Sequence, residues 1–369
     1  MSLCIEQGDF DAFFACPFEV YPPDSPYISP FESDLRHMLY PARNPLFRDS
    51  GAGTFFTAHD EDGPCGRITA HVHRAANELH GLSRGYFGFF DCRDDPEVAR
   101  RLLDAAETWV RKHDCSEIAG NFNLTAMQQM GVMTDGFGQY PYTDQLYSPP
   151  HVHRLLRQFG YRAFFPMRTF EIDLRNRTAS ADHEEAVVRQ LPPTITLSSP
   201  SRFWLARFMR DACAVLNAGF ARNPLFVPLS AEEFKHQSKE MRWIMDSHIT
   251  LMAYEHGEPV GVVVCIPDLN PFLRATQSRL TWRTPGAYLR SVTVRRRAVL
   301  VFMAVTPKLQ GHGVMSVMLD VLTARLIRRG YQTLGITWVA DANRASLRTL
   351  EKLGARAQHR LHLFRKGLD

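Results

Sequence analysis

The stretch FMAVTPKLQGHGVMSVMLDVLTARLIRRGY, residues 302–331, decides how this chain is read. An apolar strand stops at Pro307, which has no N–H to offer a neighbouring strand. Gly311 and Gly313 follow. A helix opens directly behind them, with Val314, Val317, Met318, Val321 and Leu322 at helical spacing. Strand, glycine-spaced turn and helix in that order aim several unpaired backbone N–H groups, and the positive end of the helix, at one spot. Such a spot suits a phosphate.

Around this turn the chain repeats itself. DGPCGRITAHV (62–72) resembles HGEPVGVVVCI (256–266), and RQFGYRA (157–163) resembles EKLGARA (351–357). Gly66 and Gly261 lie 195 apart, and Gly160 and Gly354 lie 194 apart. Between these anchors the helix VARRLLDAAETWVRKH (98–113) resembles VMSVMLDVLTARLIRRG (314–330). Each half reads as hairpin strands, a helix, a strand, a second helix and closing strands. That is an α/β fold with a mixed sheet. The polar stretch at 175–190 serves as a linker between an N-terminal domain, 1–174, and a C-terminal one, 191–369. Each half also carries one long connection, 123–144 and 267–288, of the kind that handles substrate.

The run from V-x-P-x-x-Q-G-x-G-V through TLGITWVAD (333–341) to N-x-x-S-x-x-x-L-E-K-L-G (343–354) resembles the GNAT acyltransferase superfamily. The resemblance is strongest over 251–366. The whole chain, with NPLF, GPCGRI, YFGFFDC, MTDGF and GEPVGVVVCIPDLN in order, is similar to bacterial proteins built from two GNAT-like halves. It implies tandem GNAT-like domains in which the second binds the donor, acetyl-CoA or another acyl-CoA. The pyrophosphate would lie on Gln310, Gly311, His312, Gly313, Val314 and Met315, the pantetheine arm along Ala304 and Val305, with Asn343 and Ser346 beside them. The N-terminal copy has FFDCRDDPEVARR at the corresponding place. Its carboxylates would cap a helix and repel a pyrophosphate.

Two departures bear on chemistry. Met315 stands where the family has Gly or Ala, so weakened or displaced donor binding is expected. Leu350 stands where many members carry the Tyr that protonates the leaving thiolate. General-base candidates are few. His312 is a weak one, Asn343 is the other residue expected to take part in catalysis, and Asp341 reads as the cap of the helix near Asn343. Aminolysis of a thioester runs largely on proximity. Acceptor contacts are expected from Phe137, Tyr140 and Tyr142 in the aromatic loop MTDGFGQYPYTDQLY, from Asp268 and Asn270, and from Trp338. The pairs His71/His73 and His151/His153 would share a face on strands, but nothing at matching spacing completes a metal site, and none is expected.

Composition narrows the class. Residues 1–175 hold 16 Arg and Lys against 24 Asp and Glu, and the remainder hold 27 against 15, so the second half is basic. The longest apolar run, AVLVFMAV (298–305), is far too short to span a membrane. The first residues do not read as a signal peptide, and seven scattered cysteines suit reduced thiols in cytoplasm. The expectation is a cytoplasmic N-acyltransferase acting on a small-molecule or peptide amine. An alternative keeps the fold and takes the donor from aminoacyl-tRNA or an acyl-carrier protein. A third, from another class, is a non-catalytic acyl-CoA or peptide-binding module.

Overall fold

The computed structural model describes residues 3–40, 44, 45, 47, 51–201, 204–237, 244–281, 284, 286, 288 and 296–368. Residues 282, 283, 285 and 287 of the long 267–288 connection, and Leu46 of NPLF, lie outside them.

In chain order the elements are β1 (Cys4–Gln7), α1 (Phe10–Val20), α2 (Glu32–Leu39), β2 (Gly51–Asp60), β3 (Gly63–His73), α3 (Arg74–His80), β4 (Arg84–Cys92), α4 (Pro96–Arg111), β5 (Glu117–Gly120), β6 (Val132–Asp135) and α5 (Pro150–Gln158). Then come β7 (Arg162–Asp173), α6 (Ala181–Val188), β8 (Ile195–Ser198), α7 (Leu205–Phe220), α8 (Ala231–Gln237), β9 (Leu251–Glu255), β10 (Glu258–Pro267), α9 (Asn270–Thr276) and β11 (Arg297–Val305). The chain finishes with α10 (Val314–Arg328), β12 (Thr333–Ala340), α11 (Arg344–Lys352) and β13 (Arg356–Gly367).

Contacts divide the chain into two compact units. The first holds residues 1–168, 272–285 and 359–369, and the second holds 169–271 and 286–358. The first has strand order β1-β2-β3-β4-β5-β13, with β6 also on β13. Its core lies between the sheet and the α4/α5 face, where Ile68, Phe87, Leu102, Leu103, Leu155 and Phe364 are buried together. On the opposite face α1 lays Phe13 against Phe55 and Phe89. There Arg67 is buried, bonded through Nε to Asp91 at 2.8 Å and through a terminal nitrogen to Tyr27 at 2.6 Å. A buried arginine is tolerated because its donors find acceptors.

The second unit has order β7-β12-β11-β10-β9-β8. β9 and β10 form the hairpin expected around Gly257, and β11 runs parallel to β12. Helix α10 buries Val314, Val317, Met318, Val321 and Leu322, the apolar set read from the sequence. It sits close over the hairpin at Gly261, where an added Cβ would lie 3.0 Å from Met318 Sδ. Helix α7 lies near β11 at Gly219, where a Cβ would come within 2.8 Å of Ala304 Cβ.

Two local expectations are corrected. His151 and His153 lie on α5, a helix and not a strand, so they point apart: His151 Nε2 donates to Cys92 O at 2.8 Å, and His153 stacks on Phe137 at 5.9 Å. Asn343, not Asp341, caps α11, its Oδ1 accepting from Ser346 N at 3.1 Å, because a cap needs a side chain three residues ahead of the N–H it receives.

Candidate active site

Strands β11 and β12 pair from Arg297/Thr333 to Leu300/Ile336 and then part. Beyond that point β11 runs on to Val305 and β12 to Ala340 without facing each other as partners. On its other edge β11 stays paired with β10 through Gly261/Val305, with a register shift between Val264 and Cys265 that leaves Val301 as the extra residue. A bulge bends its strand, and here it falls where the two strands separate.

Thr306 N donates to Val260 O at 2.9 Å, so the period-2 alternation turns the peptide groups of Ala304 toward β10 and those of Met303 and Val305 toward the open side. At the root of the fork Thr337 Oγ1 donates to Val301 O at 2.9 Å. Neither Met303 nor Thr337 was singled out in the sequence. Both are apparent only once the strands are seen to part.

The glycine turn closes the fork's outer end. A single 3₁₀ turn, Pro307–Leu309, leads into Gln310, whose Nε2 donates to Val305 O at 3.3 Å. Gly311 and Gly313 have φ of +84° and +80°, and a Cβ on either would meet nothing, so conformation and not crowding selects glycine here. Helix α10 begins at Gly313 with no side-chain cap, which leaves its first-turn N–H groups for an external acceptor. The Met315 side chain is partly buried against the core cluster under α10 and so is held away from the solvent side of the turn.

The other residues singled out take these places. His312 is exposed, and its Nδ1 donates to Gln310 O at 3.2 Å, so the neutral ring carries its lone pair on Nε2. Asn343 and Ser346 share the α11 cap, at the C-terminal end of β12. Leu350 is fully buried in the core and offers no polar substitute for a general acid. Asp268 pairs with Arg297 at 2.9 Å and accepts from Asn270 N at 3.3 Å, joining the end of β10 to the start of β11. Trp338 lies on β12 just past the fork and is half-buried. In the first unit Tyr140 is 58% exposed, with Arg274 over its ring, while Tyr142 is buried at 2%.

That aromatic loop also holds Asp144, which sequence reasoning passed over. It has φ of +66° and no cation partner among the described residues. Lost hydration pushes its carboxyl from 3.8 up to about 7. A readable signal existed, since residues 113–153 contain no Lys or Arg at all.

The corresponding fork of the first unit is filled. β4 and β5 pair from Arg84/Glu117 to Tyr86/Ala119, after which the side chains of Asn121 and Asn123 take up the backbone. Asn123 Oδ1 accepts from Phe89 N at 2.8 Å and Asn121 Oδ1 from Phe90 N at 3.2 Å. The helix behind it is capped by Asp95, which accepts from Glu97 N and Val98 N, and Pro96 has no N–H to leave free. Where α10 starts bare, α4 starts saturated.

Comparison with known proteins agrees with this geometry. Residues 220–355 match the acetyltransferase (GNAT) family. Over 374 residues the chain is 25% identical to protein YghO of Escherichia coli strain K12, covering 98% of this chain and 94% of that one. It is 24% identical to a protein named bacterial ceramide synthase from Caulobacter vibrioides, over 98% and 95% of the two chains. A tandem GNAT protein from the clavulanic acid biosynthesis pathway superposes with a TM-score of 0.60 at 12% identity, covering 100% of this chain and 99% of its own. A GCN5-related N-acetyltransferase from Sphaerobacter thermophilus gives 0.56 at 14%, over 99% and 96%. Residues 220–355 thus carry the GNAT family match, and the chain as a whole has the tandem GNAT fold of these structures.

Proposed function

We propose that the chain transfers an acyl group from a phosphopantetheine thioester, as in acyl-CoA, to the amine of a long-chain amino alcohol. The observation that carries the donor half is the β11/β12 fork beside the uncapped start of α10. Met303, Ala304 and Val305 would hold the pantetheine arm, residues 310–315 the pyrophosphate, and Asn343 and Ser346 the fork's other lip. The acceptor half rests on the relative named bacterial ceramide synthase, since a ceramide is an N-acylated sphingoid base and that relative is matched along nearly its whole length. In the unit that carries the fork, Asp268, Asn270 and Trp338 are the acceptor contacts proposed.

The amine nitrogen attacks the thioester carbonyl carbon, the C–N amide bond forms and the C–S bond breaks. The thiolate leaves and regains a proton, while the nitrogen gives one up. With Leu350 buried and His312 exposed, positioning in the fork carries most of the rate and His312 Nε2 takes the proton. All seven cysteines are free, in keeping with a reducing compartment, the cytoplasm. Among the described residues no helix is long and apolar enough to cross a membrane.

The test is free-thiol release from palmitoyl-CoA with sphinganine, together with the melting temperature in the presence of CoA. A donor at a hundred times its Kd stabilises by about 2.7 kcal/mol. Gly313→Glu puts a carboxylate at the anion site and is expected to abolish both signals. Absence of turnover and of any shift in the parent protein would overturn the reading.

A further inference from the structure

Helix α11 starts at the C-terminal end of β12, as the turn before α10 starts at the C-terminal end of the parallel β11, so both helices open at the same edge of the fork. Arg344, Arg348 and Lys352 follow one another at intervals of four along α11, on one face, and all three are exposed. Among the described residues none of the three has a carboxylate partner, and Arg348 Nε reaches Arg344 O, at 3.3 Å. Several other arginines of this unit do meet carboxylates: Arg325 and Arg328 on Glu184, Arg329 on Asp246, Arg175 on Asp173.

Local physics disfavours this arrangement. Arg344 stands in the first turn, at the positive end of the helix dipole, and that turn holds no acidic residue. Like charges four apart on a helix repel and destabilise it. A stripe kept against both terms calls for an external anion. One phosphate is too small a match, because the three cations span eight residues, about 12 Å at 1.5 Å per residue. RNA recognition would add stacking surfaces, and the α11 face presents none of its own. A helix of acidic side chains laid along α11 matches the length and the charge.

We propose that α11 is the docking helix for an acidic acyl-carrier protein, which delivers its phosphopantetheine thioester into the adjoining β11/β12 fork. This rests on the transferase reading above and names the donor's carrier. The chemistry balances as before, the thiol now remaining on the carrier's arm.

The experiment compares kcat/KM for sphinganine acylation with palmitoyl-loaded acyl carrier protein of a bacterial fatty-acid synthase and with palmitoyl-CoA, in the full chain and in Arg344→Glu/Arg348→Glu. The expected result is that the parent prefers the carrier, and that the double variant lowers the carrier-to-CoA ratio at least tenfold with an unchanged melting temperature. Raising salt should lower the parent's ratio in the same direction. A ratio unmoved by the double substitution would show that the stripe does not select the carrier, a raised ratio would assign the stripe to the nucleotide of CoA, and either would overturn the proposal. Competition by bulk tRNA but not by unacylated carrier protein would overturn it in favour of RNA. Turnover with CoA alone would remove the carrier and leave the transferase reading intact, whereas turnover with neither donor would remove both.

Discussion

Thr337 Oγ1 donates to the Val301 carbonyl at 2.9 Å, at the point where β11 and β12 stop pairing. The bond ties the bulge residue to the neighbouring strand and fixes where the fork opens. Both residues are buried, so loss of the hydroxyl would strand a carbonyl. Thr337→Val keeps the shape and is expected to cost about 1–2 kcal/mol of stability in denaturant titration, with a raised KM for the donor.

The two turn glycines are needed for conformation, so a small side chain should strain the backbone without a clash. Gly311→Ala and Gly313→Ala are each expected to cost about 1–2 kcal/mol. If either Ala variant proves neutral by thermal melting, the left-handed geometry of the turn is wrong.

In the first unit, Asn121 and Asn123 hold the backbone N–H groups of Phe90 and Phe89. Asn123→Ala leaves a buried donor unsatisfied and should cost about 1–3 kcal/mol. The proposed function puts the donor in the other fork, so CoA affinity measured by calorimetry should stay within twofold.

Asp144 sets a pH dependence whose sign can be worked out. Its carboxyl titrates at about 7 in the fold against 3.8 in the open chain, so between those values the folded state holds a proton that the unfolded state has lost. Stability from this group therefore falls as pH rises from 3.8 to about 7. Asp144→Asn should raise the melting temperature at about pH 8 and leave it unchanged at about pH 4. The reverse order would show the carboxylate to be paired.

His71 has the opposite sign. It clusters with the rings of Tyr86 and Phe122, at 5.5 and 6.3 Å, with neither ring nitrogen in hydrogen-bond geometry. Burial, then the neighbouring His73, pulls it from 6.5 down to about 3, and a backbone contact with Leu124 opposes this only weakly. The unfolded chain gains a proton first as pH falls through that window, so stability drops by at most about 1.4 kcal/mol per pH unit. Chemical denaturation of His71→Leu should show a flatter acid limb than the parent.

The class of fold and the glycine turn before α10 were legible in the chain because both are written locally. Helical spacing from Val314 to Leu322, glycines at 311 and 313, and Asp95 with Pro96 ahead of α4 each act within one or two turns, and the structure places them as read. Met315 and Leu350 were legible as departures, but their consequences were not. Packing against the core turns the first aside and buries the second, and neither contact is encoded by neighbours in sequence.

The fork itself was decided only by tertiary structure. Its root is a bond between residues 36 apart, its edge is a strand bulge set by pairing with β10, and its counterpart in the first unit is filled by two asparagines that look like ordinary loop residues. The same holds for Asp144, whose proton affinity depends on which groups lie near it and not on its place in a loop. Short-range patterns choose the elements, since they depend on backbone torsions and periodicity. Which N–H stays free, and which charge stays unpaired, is settled only when distant segments compete for the same partner.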